Sequence, residues 1–201
     1  ADMDGDGDMD IVSASYNDDA IAWYENDGAA NPSWTAADIA TSADGARSVF
    51  VADMDGDGDM DIVSASYNND AIAWYENDGA ANPSWTASDI ATNADDAQSV
   101  FATDMDGDGD MDIVSASSND DAIAWYENDG VADPSWTAVD IVTNADAARS
   151  VFAADMDGDG DMDIISASYN DDKIAWYQNS AGRNAPQITS VTSSQDNGSY
   201  G

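Results

Sequence analysis

The chain has 201 residues and a mass of 21.0 kDa, room for one domain with a sizeable core or two small ones. It carries 42 acidic residues against four basic ones and no histidine, a formal charge of −38, so a nucleic-acid footprint and binding to anionic lipid are both excluded. No apolar run approaches the roughly 18 residues of a membrane span, the absence of cysteine removes disulfides, zinc ribbons and thiol nucleophiles, and 43% hydrophobic content with seven tryptophans argues against disorder.

The string Asp-Met-Asp-Gly-Asp-Gly-Asp-Met-Asp-Ile begins at Asp2, Asp53, Asp104 and Asp155, a constant step of 51 residues. Between 2–52 and 53–103, 44 of 51 positions are identical. This period falls in the range of propeller blades and large solenoid coils. After the first acidic loop, Ile11–Tyr16 is a β-prone run and Asn17-Asp18-Asp19 a turn. Ala20–Glu25 is the next strand, broken by Asn26-Asp27-Gly28. Trp34–Ile39 follows Pro32 as another strand, and Ser48–Ala52 leads into the next acidic loop. No stretch of ten residues or more shows a helical period.

The runs at 11–16 and 20–25 are apolar or small on both faces, as in strands buried on both sides. Four such short strands per unit, packed on neighbours at both faces, describe a propeller blade. The fold expected is all-β: tandem propeller-type blades of four short antiparallel strands, part of a larger propeller or a four-repeat assembly. Trp23, Trp34 and their copies are expected in the core, with a sugar-stacking platform as the alternative.

The acidic loops carry the sharpest chemistry. All but three of the acids are aspartates, and short carboxylates held near the backbone suit metal loops and turns. Asp2, Asp4 and Asp6 stand at alternate positions, so they can converge on one ion while the intervening residues point away. Gly7 permits the sharp turn, Asp8 offers its backbone carbonyl, and Asp10 closes the cage. Calcium wants six to eight such oxygens, whereas magnesium prefers octahedral sites with several waters. The same pattern recurs at Asp53, Asp55, Asp57, Asp59 and Asp61, at Asp104, Asp106, Asp108, Asp110 and Asp112, and at Asp155, Asp157, Asp159, Asp161 and Asp163. About four calcium ions are therefore expected, one per repeat. An EF-hand is excluded, because its bidentate glutamate position is Ser13 here and the flanks read as strands. Thrombospondin-type repeats need cysteine, and nine-residue calcium coils need paired glycines; neither is present.

The sequence resembles the FG-GAP/VCBS family of calcium-binding β-propeller repeats, also found in integrin α-subunit heads. The likeness runs over 2–179, through Val-Phe-x-x-Asp-x-Asp-Gly-Asp-Gly-x-x-Asp-Ile-Val and the later Ile-Ala-Trp-Tyr-x-Asn. The Phe-Gly-Gly and Gly-Ala-Pro elements of the family are missing, so the looser VCBS-like branch fits better. The resemblance implies that the loop joins the first two strands of a blade and binds calcium through the aspartates named above. It also implies an extracellular or cell-surface protein used in adhesion, recognition or scaffolding.

The repeats divide as 2–52, 53–103, 104–154 and a partial 155–179, followed by a linker at 180–186 and a β-strand tail or the start of an immunoglobulin- or cadherin-like domain at 187–201. Opening at Ala1 inside an acidic motif, the chain reads as a processed product or an excerpt of a larger propeller. Two further readings concern the 187–192 strand: it fills a gap in the first unit, or it pairs with the next subunit to build a homopolymeric filament. Asn197-Gly198-Ser199 is a glycosylation sequon. With no histidine and its obvious carboxylates in repeated loops, the chain is expected not to be an enzyme. The function expected is a calcium-stabilised extracellular structural or adhesion protein with other subunits or surface glycans as partners. A carbohydrate- or ligand-binding propeller is the alternative, and halophilic adaptation a third source of the acidity.

Overall fold

The computed structural model describes residues 1–180 and the backbone of residues 188–195, and every regular element among them is a β-strand. The first sheet holds β1 (Ile11–Ser15), β2 (Ala20–Asn26) and β3 (Trp34–Ala40). The second holds β4 (Ala46–Ala52), β5 (Asp61–Ser66), β6 (Ala71–Asn77) and β7 (Trp85–Ala91). The third holds β8 (Ala97–Thr103), β9 (Asp112–Ser117), β10 (Ala122–Asn128) and β11 (Trp136–Val142). The fourth holds β12 (Ala148–Ala154), β13 (Asp163–Ser168), β14 (Lys173–Asn179) and β15 (Ile188–Gln195). Strands follow chain order and all pairs are antiparallel, so each sheet is a meander.

The pattern of small and β-branched residues explains the layering. β5 and β9 are buried along their whole length. Alternation then sends successive side chains to opposite neighbours. Ile62 packs with Ile21 and Trp23 of the first sheet and with Met3 of its acidic loop, while Val63, one residue on, packs toward Ile113 of the third. Serines and alanines between these residues let successive sheets lie close. The first strands of the second, third and fourth sheets lie against one another, β4 on β8 and β8 on β12. Phe50, Phe101 and Phe152 form a column there, with ring centroids 4.6 and 4.7 Å apart. Ser48 Oγ accepts the Val100 N–H, and Ser99 Oγ accepts that of Val151.

Two expectations need correction. Trp23, Trp74 and Trp125 are core residues, but Trp34 is exposed and Trp85 and Trp136 only half-buried. They open the outermost strands β3, β7 and β11, where one face meets water. Trp85 and Trp136 still lean on the preceding sheet, a support that Trp34 does not have. The tail strand, for its part, neither fills the first sheet nor stands apart. β15 pairs antiparallel with β14, Asn179 opposite Ile188 and Lys173 opposite Gln195, in the place that β3, β7 and β11 hold in their sheets. The expected linker beyond Ser180 and the sequon at Asn197 lie outside the described residues.

Candidate metal centre

The second, third and fourth acidic loops connect the first and second strands of their sheets, as β4 to β5 by residues 53–60, and the first leads into β1. Its shape comes from carboxylates folded back on their own backbone. Asp53 accepts N–H groups from Gly56 at 2.8 Å and Gly58 at 3.0 Å, one on each oxygen. Asp55 accepts from Asp57, and Asp57 from Asp59. Gly58 has φ +100°, and its copies Gly7, Gly109 and Gly160 have +97°, +107° and +99°, a region that side chains rarely adopt. The glycine of the motif is thus a backbone requirement.

The result is a tight group of three carboxylates in every loop: Asp2, Asp4 and Asp6; Asp53, Asp55 and Asp57; Asp104, Asp106 and Asp108; Asp155, Asp157 and Asp159. One oxygen from each lies within 4.8 Å of the others. Among the described residues no lysine or arginine pairs with them, the one ion pair there being Lys173–Asp171 at 2.8 Å. Two like charges 4 Å apart repel by about 1 kcal/mol in water and about 4 kcal/mol near a protein surface. A hard divalent cation with oxygen ligands removes that repulsion, and the donor set fits one.

The fourth and fifth aspartates stand differently. Asp8 turns its carboxylate toward Gly28 in the connection between β2 and β3, where any side chain at position 28 would collide with it. Asp59 with Gly79 and Asp110 with Gly130 repeat the contact, while Asp161 is placed in the same loop position of the fourth repeat. Asp10, Asp61, Asp112 and Asp163 are buried. One Asp61 oxygen accepts the Met54 N–H at 3.1 Å, the other the Asn77 N–H at 2.8 Å. The same pair of bonds holds Asp10, Asp112 and Asp163. These carboxylates therefore pin the loop to the second strand that follows it, a role that the loop spacing alone did not reveal.

Burial pushes Asp61 up to about 6 and Asp112 up to about 7, against the two N–H groups that favour the charged form. Trp74 Nε1 lies near enough to Asp61 to favour its charge, yet it does not meet hydrogen-bond geometry. Asp4, Asp55, Asp106 and Asp110 are also raised, burial again first and their neighbouring carboxylates adding to it. A raised carboxylate favours the protonated fold, so its penalty vanishes as pH falls through the folded value toward the unfolded one near 4. In metal-free buffer the melting temperature is expected to climb as pH drops from 8 to 5. Thermal melts at each pH check this; a flat or falling series contradicts it.

Two further positions belong to the site and were not legible as such. Glu76 sits beside the loop, and burial followed by Asp55 and Asp57 raises its carboxyl; Glu127 lies close enough to Asp106 to raise that aspartate. Glu25, Glu76 and Glu127 are the only glutamates in the chain, and the fourth repeat has Gln178 in their place. Gln178 Nε2 donates to Asp157 at 2.6 Å. The second position is the asparagine ending the third strand. Asn77 Nδ2 donates to Met60 O in its own loop and to Met3 O in the preceding one. Asn128 reaches Met54 O, and Asn179 reaches Met105 O, each across 74 residues. Residues of one unit thus hold the acidic loop of the unit before.

A fifth acidic group, Asp70, Asp95 and Asp96, lies at the other end of the second sheet. Asp96 has glycine and alanine as its counterparts in the neighbouring repeats, so this group is not a repeated centre.

No curated protein matches the chain. The model of the FG-GAP-like repeat matches residues 2–64, 53–115 and 104–166, each stretch running from one acidic loop through the following one. With well over half its length covered by these three matches, and its sheets and aspartate clusters repeating in step with them, the chain belongs to the FG-GAP-like repeat family.

Proposed function

We propose that this chain is a calcium-stabilised extracellular structural or adhesion module, with its sheets set as blades of a propeller and one ion per acidic loop. The observation that carries the reading is the threefold carboxylate group in each loop, within 4.8 Å and without a paired cation among the described residues. The contact of β4 with β8 and β8 with β12, innermost in their sheets, supports the blade arrangement. In this role calcium supplies the cross-link that disulfides give other secreted domains. A non-enzymatic role follows the same observation, because the carboxylates serve identical loops rather than one distinct site. The grooves point the same way. One of about 460 Å³ beside Met54, Met60 and Met111 and one of about 440 Å³ beside Met3, Met9 and Met60 occupy equivalent places between successive loops. These two grooves thus repeat with the loops rather than marking a single distinct site.

Calorimetric titration with calcium tests the reading. Four ions are expected to bind, three of one class and one weaker by about tenfold, since site charge tunes calcium affinity and the fourth loop has Gln178 for glutamate. Gln178→Glu is expected to bring the fourth site into the common class. Absence of binding at millimolar calcium sinks the proposal.

A further inference from the structure

Two of the four basic residues, Arg47 and Arg149, stand at the strand ends away from the acidic loops, and neither pairs with a carboxylate among the described residues. Both guanidinium groups lie on tyrosine rings instead. Arg47 is clamped between Tyr16 of the preceding unit at 4.6 Å and Tyr67 of its own at 4.4 Å. The Tyr16 hydroxyl donates to Asn68 Oδ1 at 3.4 Å. Two steps of 51 residues later, the positions of Tyr16, Arg47, Tyr67 and Asn68 are held by Ser118, Arg149, Tyr169 and Asn170. Arg149 keeps its own unit's ring, Tyr169, at 5.4 Å, but a serine stands where the preceding unit's ring belongs. The guanidinium is held in place all the same. Its Nη1 donates to Gln98 Oε1 at 3.3 Å, and Gln98 Nε2 donates to Ser118 Oγ at 2.8 Å. Gln98 is only 7% exposed. Asn170 Nδ2 donates to Asp146 at 2.9 Å, and its Oδ1 accepts no hydrogen bond among the described residues. The missing ring belongs to the third unit, which is present, so a further repeat at either end of the chain would not supply it.

We propose that this seat takes the side chain of a tyrosine from a partner protein, its ring on the free face of the Arg149 guanidinium and its hydroxyl donating to Asn170 Oδ1. The occupant is read from the molecule itself, because the first and second units show a phenol in the matching place with both contacts made. A guanidinium between two rings gains cation–π attraction on each face, and more where the rings exclude water. Gln98 fixes the group before any partner arrives, so little freedom is lost on binding. The surroundings also set the charge of the partner. The backbone of Asp96 binds that of Ser118, and the backbone of Asp146 that of Asn170, so carboxylates border the seat on both sides. A tyrosine with a basic neighbour on each side complements them.

The test is a ligand-observed NMR titration with the end-blocked peptides Lys-Tyr-Lys and Lys-Ala-Lys, in calcium and about 150 mM salt. Lys-Tyr-Lys is expected to bind in the millimolar range, about tenfold more tightly than Lys-Ala-Lys. Ser118→Tyr fills the seat from within and is expected to abolish that preference. Arg149→Gln removes the guanidinium and is expected to do the same. Each variant installs a residue type that the chain already carries at a copy of the position, as at Tyr67 and Gln98, so neither is foreign to the fold. Equal affinity for the two peptides overturns the proposal, as does a preference that survives in either variant. Circular dichroism of each sample checks that the sheets are intact. Because the seat lies away from the acidic loops, the outcome stands whether or not those loops bind calcium.

Discussion

Removing calcium is expected to lower the melting temperature by roughly 10–20 °C. Extracellular calcium sites have dissociation constants of about 10⁻⁴–10⁻³ M, and at tenfold excess each adds about 1.4 kcal/mol through RT ln(1 + [L]/Kd). Four sites taken as independent contribute about 5–6 kcal/mol, comparable with the whole net stability of an ordinary domain. For a chain of this size 1 kcal/mol corresponds to about 2–4 °C. The structure gives the shift its cause. Three carboxylates are gathered in each loop by backbone N–H groups that hold them together whether or not an ion is present. Chelation therefore leaves the repulsion in place rather than letting the side chains drift apart. Scanning calorimetry in calcium and in chelator decides the matter, and coincident melts would remove calcium from the account of this fold.

The second large effect concerns the fifth aspartate. Asp112→Ala is expected to cost about 2–4 kcal/mol, with or without calcium. Asp112 is 1% exposed, and its oxygens accept the N–H groups of Met105 at 3.1 Å and Asn128 at 2.8 Å. Alanine leaves both donors buried without a partner, at about 1–3 kcal/mol each. Release of a carboxylate that burial disfavours returns part of that cost. Asp108→Ala is the control, because Asp108 is exposed and belongs to the three-carboxylate group. It is expected to raise the chelated melt slightly, by removing one of the three repelling charges, and to shrink the response to calcium. Melts of both variants in both buffers separate the roles; if Asp112→Ala weakens only the calcium-loaded protein, its bonds to the backbone are not what matters.

Much of the fold could be read before any coordinates, and the reason is repetition. A 51-residue copy with 44 identities shows which residues belong to one unit, and the loop spacing places three carboxylates together. The strands at 11–15, 20–26, 34–40 and 46–52 lie within a residue or two of their expected bounds, because β-branched runs between Asn, Asp and Gly leave little freedom. What stayed hidden depends on neighbours across units. Asp10 and Asp4 are the same residue type six positions apart, yet one is pinned to strand backbone and the other turned to the cluster. Trp23 and Trp34 look alike in a pattern of apolar residues, but only the structure shows that one strand is covered and the other wet. Asn77 reads as a turn residue because its partner, Met3, is 74 residues away.

That last contact has a consequence for how the array responds to loss of order. Each asparagine grips the loop of the unit before it, so a loop that loosens releases an anchor of the following unit. The coupling runs between adjacent units in both directions: Asn77 ties the first loop to the second unit, Asn128 the second loop to the third, and Asn179 the third loop to the fourth. Nearest-neighbour chains of this kind gain or lose structure in runs, not one unit at a time. The repeats thus share a common fate along the chain, and damage to a loop with a unit on either side does more harm than the same damage to a loop with a unit on one side only.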